Sequence, residues 1–299
     1  MEICTETGKR KTGIMAKPTQ VLGIFLLLNL APICAAPARA AAEAPGASLV
    51  DRALANELRN ARDLQHPMRY VLHKSSPRLS TTKLIVETTD GAVARLVAVD
   101  RKPLSAAAEQ REQARLDGLL RNPDNQRNRK QREDADARRA LKVLRALPLA
   151  FLYQFAGTVD EPHGVLDRFT FLPNPAYDPP DLETAVLTAM AGEIWIDPVD
   201  QRVVRLEGHL QKDVNIGWGI LGRLDKGGWI IIDQADVGDG QWRVVRFQMQ
   251  MNGRIFFKSR NFDTLEEESG FAPVPANLNY VQGIHLLRQD PPPAHFAQH

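Results

Sequence analysis

Two side chains in this chain have the types and spacing for proton transfer: Glu207 and His209, two residues apart in the run R-V-V-R-L-E-G-H-L. On a strand, residues i and i+2 share a face, so the pair would stand side by side with Arg205. Glu193 and Asp197 lie on the run before it, A-M-A-G-E-I-W-I-D, and could converge on Glu207 across a hairpin. The set contains no placed nucleophile, and the chain has neither a G-x-S-x-G elbow nor an H-E-x-x-H pair. His66, His73, His163, His285, His295 and His299 are scattered, so no metal or other cofactor is expected. Gly217, Gly219, Gly222, Gly227 and Gly228 cluster without the Lys-Ser/Thr of a phosphate loop or a following helix, and they read as bends in a sheet. The stronger expectation is a protein that is not an enzyme.

The elements that would carry these residues are mostly strands. Between Ala189 and Arg260, apolar residues alternate with polar ones, and Asp, Gly, Pro and Asn clusters interrupt them, the pattern of an antiparallel meander. Trp229 to Gln234 should pair with Trp242 to Met251, and Asn252-Gly253 should turn the chain into Arg254 to Arg260. Upstream, Arg69 to Lys74 reads as a strand, and Ser80 to Thr89 with Ala92 to Asp100 as a hairpin around Asp90-Gly91. Leu149 to Ala156 and Val165 to Leu172 form another hairpin, joined by Asp160 to Gly164. After Phe262 the strand signal fades into Glu266, Glu267 and Glu268, with one last strand near Tyr280 to Leu287. About ten or eleven strands of this kind form a barrel, half-barrel or sandwich, and no βαβ rhythm argues for a doubly wound sheet.

Helices are few. Ser48 should cap one over Leu49 to Leu64, with Leu49, Ala53, Leu54, Leu58, Ala61 and Leu64 as its apolar stripe. Residues 104–147 form a charged helical insertion, with a break at Asn122-Pro123. Its segment N-Q-R-N-R-K-Q-R-E-D-A-D-A-R-R has almost no apolar stripe and reads as a solvated face, despite four basic residues that could meet phosphate.

The first 40 residues read as a secretory signal peptide: basic residues, an apolar run from Val21 to Ile33, then Ala38-Arg39-Ala40 as a cleavage site. Cys34 offers a lipoprotein anchor instead, although Pro32-Ile33 fits the lipidation signal poorly. Removing residues 1–40 takes away both cysteines, five basic residues and two acidic ones, turning a formal charge of +2 into −1. A chain so balanced makes no electrostatic case for nucleic acid, and no later apolar run reaches the length of a spanning helix. Residues 41–47 would be a linker, 48–288 one domain, and 289–299 a flexible tail.

Aromatic and Met side chains then suggest either a packed core or an apolar cavity, and the residues alone leave both open. The candidates are Phe151, Tyr153, Phe155, Phe169, Phe171, Ile194, Trp195, Val245, Phe247, Met249, Met251, Ile255 and Phe257.

The order of elements, with the block A-G-E-I-W-I-D followed by R-V-V-R-L-E-G, resembles periplasmic outer-membrane lipoprotein-sorting proteins, the LolA, LolB and RseB-like group. That resemblance implies an α+β fold, mainly β: a curled antiparallel half-barrel of about eleven strands with a helical lid. It implies a periplasmic carrier that takes lipid or lipoprotein acyl chains into its interior, with Arg69 in the place of a ligand-binding arginine. An envelope module contacting another protein through the same fold is the alternative, and a hydrolase using Glu207 and His209 is third. The insertion at 104–147 and the proline-rich loop at 173–180 depart from the small carriers of that group.

Overall fold

The computed structural model describes residues 48–162, 164–216, 222–255 and 258–289. The expected signal peptide, linker, Cys34 anchor and most of the tail lie outside these residues. Helix α1 covers Leu49–Asn60. Ser48 accepts the Asp51 N–H at 3.1 Å, and Asp51 in turn accepts the Ser48 N–H at 3.2 Å, a reciprocal box at the helix start. The helix stops four residues before Leu64, because Asp63 takes the Gln65 N–H at 2.7 Å and folds the chain into a turn.

Thirteen strands form one antiparallel sheet. They are β1 Met68–Ser76, β2 Leu79–Val86, β3 Val93–Val99, β4 Lys102–Pro103, β5 Phe151–Glu161, β6 Gly164–Pro173, β7 Met190–Asp197, β8 Arg202–Leu210, β9 Val214–Ile216, β10 Gly222–Leu224, β11 Trp229–Asp236, β12 Trp242–Ile255 and β13 Lys258–Pro273. The order is β4-β3-β2-β1-β13-β12-β11-β8-β7-β6-β5, with β10 on β12 and β9 on β10. The expected curled half-barrel of about eleven strands is therefore corrected. The sheet stays open, neither closed nor strongly curled, and its two ends, β4 and β5, do not meet.

What replaces closure at one end is a set of helical side chains. The insertion forms α2 (Ala106–Arg121) and α3 (Pro123–Ala150). Along the outer side of β3, Glu133 accepts the Ala92 N–H at 3.0 Å and Arg129 donates to the Ala92 carbonyl at 2.9 Å. Arg115 donates to the Ala94 carbonyl at 2.5 Å, and Glu112 accepts the Leu96 N–H at 2.8 Å. Polar groups that a bare edge would leave exposed are thus paired. The insertion's polar segment is accordingly no simple solvated face: Gln126 and Arg129 are buried.

Helices lie on both faces of the sheet. On one, α1, the end of α3, α4 (Leu182–Ala185) and a 3-10 turn at Val186–Ala189 cover strands β5 to β8, β11 and β12. On the other, Leu116 and Leu119 of α2 pack with Ile284 and Leu287 of α5 (Tyr280–Gln289) over Leu84, Val86, Val93 and Val97. The segment expected to be a last strand is thus α5. Its start is boxed by Asn279, which accepts the Gln282 N–H at 2.9 Å while Gln282 accepts the Asn279 N–H at 3.0 Å.

Two expected turns fall elsewhere. Asp90-Gly91 sits in a six-residue connection, 87–92, where Gln126 donates to the Asp90 carbonyl and Tyr280 N–H donates to the Asp90 carboxylate. Asn252-Gly253 lies inside β12, with Gly253 opposite Arg260. A Cβ there would stand 2.4 Å from the Arg223 carbonyl oxygen, so glycine answers the close approach of β10 rather than a turn. The Glu266–Glu268 run, into which the strand signal was expected to fade, lies within β13, a central strand between β1 and β12.

Candidate functional site

The hairpin β5–β6 sets Tyr153 opposite Phe171 and Phe155 opposite Phe169, with Phe151 opposite Pro173. Alternation places these rings on the face toward α1 and α3. Phe151 and Phe171 lie 4.5 Å apart, Tyr153 and Phe171 6.1 Å, and Phe155 and Phe169 5.5 Å in an edge contact. Phe151 and Phe171 are buried, whereas Phe155 is 54 % exposed, so the rings run from the core to the molecular rim. Tyr153 donates to the Leu147 carbonyl at 3.2 Å, and burial pushes its phenol well above the usual range. Ile194, Phe247, Met249 and Met251 join the same buried cluster.

Other sequence candidates fall apart from it. Trp195 lies on the opposite face, under the Arg205 guanidinium at 5.3 Å, with its indole N–H 3.3 Å from Glu193. Val245 is half-buried at the bulge where the β11–β12 register shifts. Arg69 pairs with Val86 and Ala272, six strand spacings from β6, or roughly 29 Å across a flat ladder. Ile255 keeps its ladder position opposite Gly222 and Lys258. Phe257 lies outside the described residues.

Glu207 and His209 do share a face, with Oε1 and Nε2 3.2 Å apart. Glu207 is also the register partner of Glu193, so two carboxylates oppose each other across β7 and β8. Arg205 offsets them, reaching Glu207 at 3.2 Å and Asp233 at 2.9 Å, and Arg168 stands 3.9 Å from Glu193. Asp197 is drawn away into the β7–β8 turn, where it accepts the Val199 and Asp200 N–H groups. The ladder registers align Arg168, Trp195, Arg205, Asp233, Arg246, Glu267 and His73 in one row across the sheet. This is a water-facing ionic lattice, and His209, at 46 % side-chain exposure, lies at its open surface rather than in a cleft.

A second polar cluster escaped the sequence reading. Glu266, only 2 % exposed, pairs through Oε1 with the Lys74 ammonium, while its Oε2 is buried without a hydrogen-bond partner. Glu268 shares its face two residues on, and burial, with Glu266 and Glu87 nearby, pushes its carboxyl up to about 8. Burial also raises Glu87, raises the Tyr70 phenol well above its usual range and brings Lys83 down to about 8. The signal available was alternation: Phe262, Thr264, Glu266 and Glu268 keep a period of two through the acidic run.

Among the described residues, no group of three or more His, Cys, Asp or Glu is arranged to hold a metal, and no helix is long and apolar enough to cross a membrane. No family model matches the chain, and no curated protein matches it. Two solved structures share a loose likeness. One is a putative outer membrane lipoprotein-sorting protein domain from Vibrio parahaemolyticus, 10 % identical, spanning 80 % of this chain and 98 % of that one at a TM-score of 0.28. The other is a DUF1329 family protein from Desulfovibrio piger, 10 % identical, spanning 74 % and 91 % at a TM-score of 0.25. At these values the likeness carries no argument about what this chain is or binds.

Proposed function

We propose that the protein is a non-enzymatic binder of an acyl chain, lipid or lipoprotein, working in the cell envelope after export through its N-terminal segment. The observation behind this reading is the aromatic run of β5 and β6. Its outer member, Phe155, is more than half exposed, and its inner members join a cluster containing Met249 and Met251. An alkyl chain entering at Phe155 would meet rings and thioethers that repack at small cost. The acyl chain's carbons would gain burial, and a headgroup would stay at the rim.

The test is native mass spectrometry of the exported protein, with lipid extraction and titration by a fluorescent undecanoate displaced by palmitate. Saturable, displaceable binding is expected, weakened about fivefold or more by Phe155→Ser, which removes a partly exposed ring. No acyl species in the extract together with no saturable signal would sink the reading.

A further inference from the structure

The two ends of the sheet are finished differently. Along β3, side chains of α2 and α3 take up outer backbone groups of Ala92, Ala94 and Leu96. At the other end, β5 has a ladder neighbour on one side only, β6. The phase of that ladder tells which β5 groups point outward. The Asn174 N–H donates to the Ala150 carbonyl at 2.8 Å, and Pro173, with no N–H to give, stands opposite Phe151. Leu152 and Gln154 therefore bond to β6, while the N–H and C=O groups of Phe151, Tyr153 and Phe155 point away from the sheet. These donors and acceptors repeat about every 7 Å, a spacing that another extended backbone matches. The strand lacks the usual guards of an open edge, since no Pro, Lys or other charged residue lies between Phe151 and Phe155.

The limits of the edge say which strand fits it. Regular pairing begins after Ala150, where α3 stops, and ends at the bulge between Phe155 and Thr158, where Gly157 turns to a φ of 105°. The stretch between, Phe151 to Phe155, is centred on Tyr153. A two-fold axis through Tyr153 sets it antiparallel to itself without overhang, Phe151 opposite Phe155 of the partner subunit and Tyr153 opposite its own counterpart, with roughly six ladder bonds formed. On the face away from α3, Leu152 and Leu172 are ladder partners, 55 and 62 % exposed. The same axis brings Leu152 against Gln154 of the partner subunit and gives both leucines apolar neighbours across the seam. The stretch holds no charge, so no like charges oppose each other along it. We infer that two copies of this chain pair antiparallel through β5, continuing one sheet across both.

The pairing does not rest on the acyl-binding reading: Phe155 is unchanged in every variant below, and the protein is stripped of lipid first. Sedimentation velocity should show a dimer that dissociates on dilution. Leu152→Lys removes exposed apolar surface and sets two ammonium groups diagonally across the seam, and should weaken dimerisation about tenfold. Gln154→Glu should weaken it as well, whereas Val199→Lys, in the β7–β8 turn, should change nothing. Because the register sets position 152 of one copy against position 154 of the other, mixing the first two variants should give heterodimers about tenfold tighter than either variant forms with itself. Hydrogen exchange at the Phe151, Tyr153 and Phe155 amides should slow as protein concentration rises. If Leu152→Lys folds poorly, Gln154→Glu, at an exposed position, decides alone. A monomer at every concentration overturns the inference, as does undiminished dimerisation of the folded variants. Protection of those amides in a monomer, independent of concentration, would mean that another segment of the chain covers the edge, and the inference fails.

Discussion

Glu57 on α1 grips Arg202 on β8 with both carboxylate oxygens, at 2.8 and 3.0 Å, and its Oε1 also accepts the Val203 N–H at 3.1 Å. The guanidinium lies over Trp242 at 5.3 Å, so one buried pair ties the helix, the sheet and the β11–β12 end together. Glu57→Ala would leave a largely buried guanidinium and a backbone N–H without partners. A loss of about 3–5 kcal/mol in urea unfolding is expected. Glu57→Gln, which still accepts from Val203, should cost less.

The capped edge of β3 makes a different prediction. Arg129→Ala with Glu133→Ala strips both partners from Ala92 and reopens part of the strand to pairing. About 1–3 kcal/mol of stability should go, with earlier light scattering on heating. Arg132→Ala, an exposed change on the same helix, should do neither. Equal aggregation onset in all three proteins would refute the capping role.

Glu268 sets a pH dependence of definite sign. Its carboxyl is pushed up to about 8 in the folded protein against an ordinary 4.5, so between those values the native state holds a proton that the unfolded chain has released. Stability therefore falls as pH rises through this window, and the penalty is complete above about 8. Glu87, raised by burial, adds in the same direction; Lys83, lowered to about 8, works oppositely only above that pH. Glu266, Lys74, Tyr70 and Arg243 supply the remaining charged or titratable surroundings. Melting temperature should drop by several degrees from about pH 5.5 to about pH 8, and Glu268→Gln should flatten that slope.

Local grammar was readable where neighbours in sequence settle the structure. Ser48 announced the start of α1, and Asp160 to Gly164 set the hairpin that aligns the aromatic rings. Asn279-x-x-Gln282 carries the same kind of helix signal, but the apolar residues from Tyr280 to Leu287 suit a strand equally well, so the box alone does not decide between them. Glu112, Arg115, Arg129 and Glu133 could not be recognised as edge caps, because their partners lie 16 to 41 residues away on β3 or before it and exist only once that edge is formed. Curling was the wrong expectation for a related reason: a strand count says how much edge must be protected, whereas the means, here helical side chains, is a tertiary fact.

The block A-G-E-I-W-I-D owes its glycine to packing, and two neighbouring positions separate that from a ligand role. Gly192 and Gly208 face each other across β7 and β8. A Cβ on Gly192 would fall 1.9 Å from the Glu207 carbonyl oxygen, a backbone atom that cannot yield without breaking the ladder. A Cβ on Gly208 would meet the Met190 terminal methyl at 2.6 Å, the far end of a flexible side chain. Gly192→Ala should therefore destabilise by about 3 kcal/mol or more, or prevent folding, while Gly208→Ala should cost about 1 kcal/mol or less once Met190 changes rotamer. Urea unfolding of the two single variants measures this contrast directly. Equal, small losses in both would mean that β7 and β8 lie farther apart at Gly192 than this register allows.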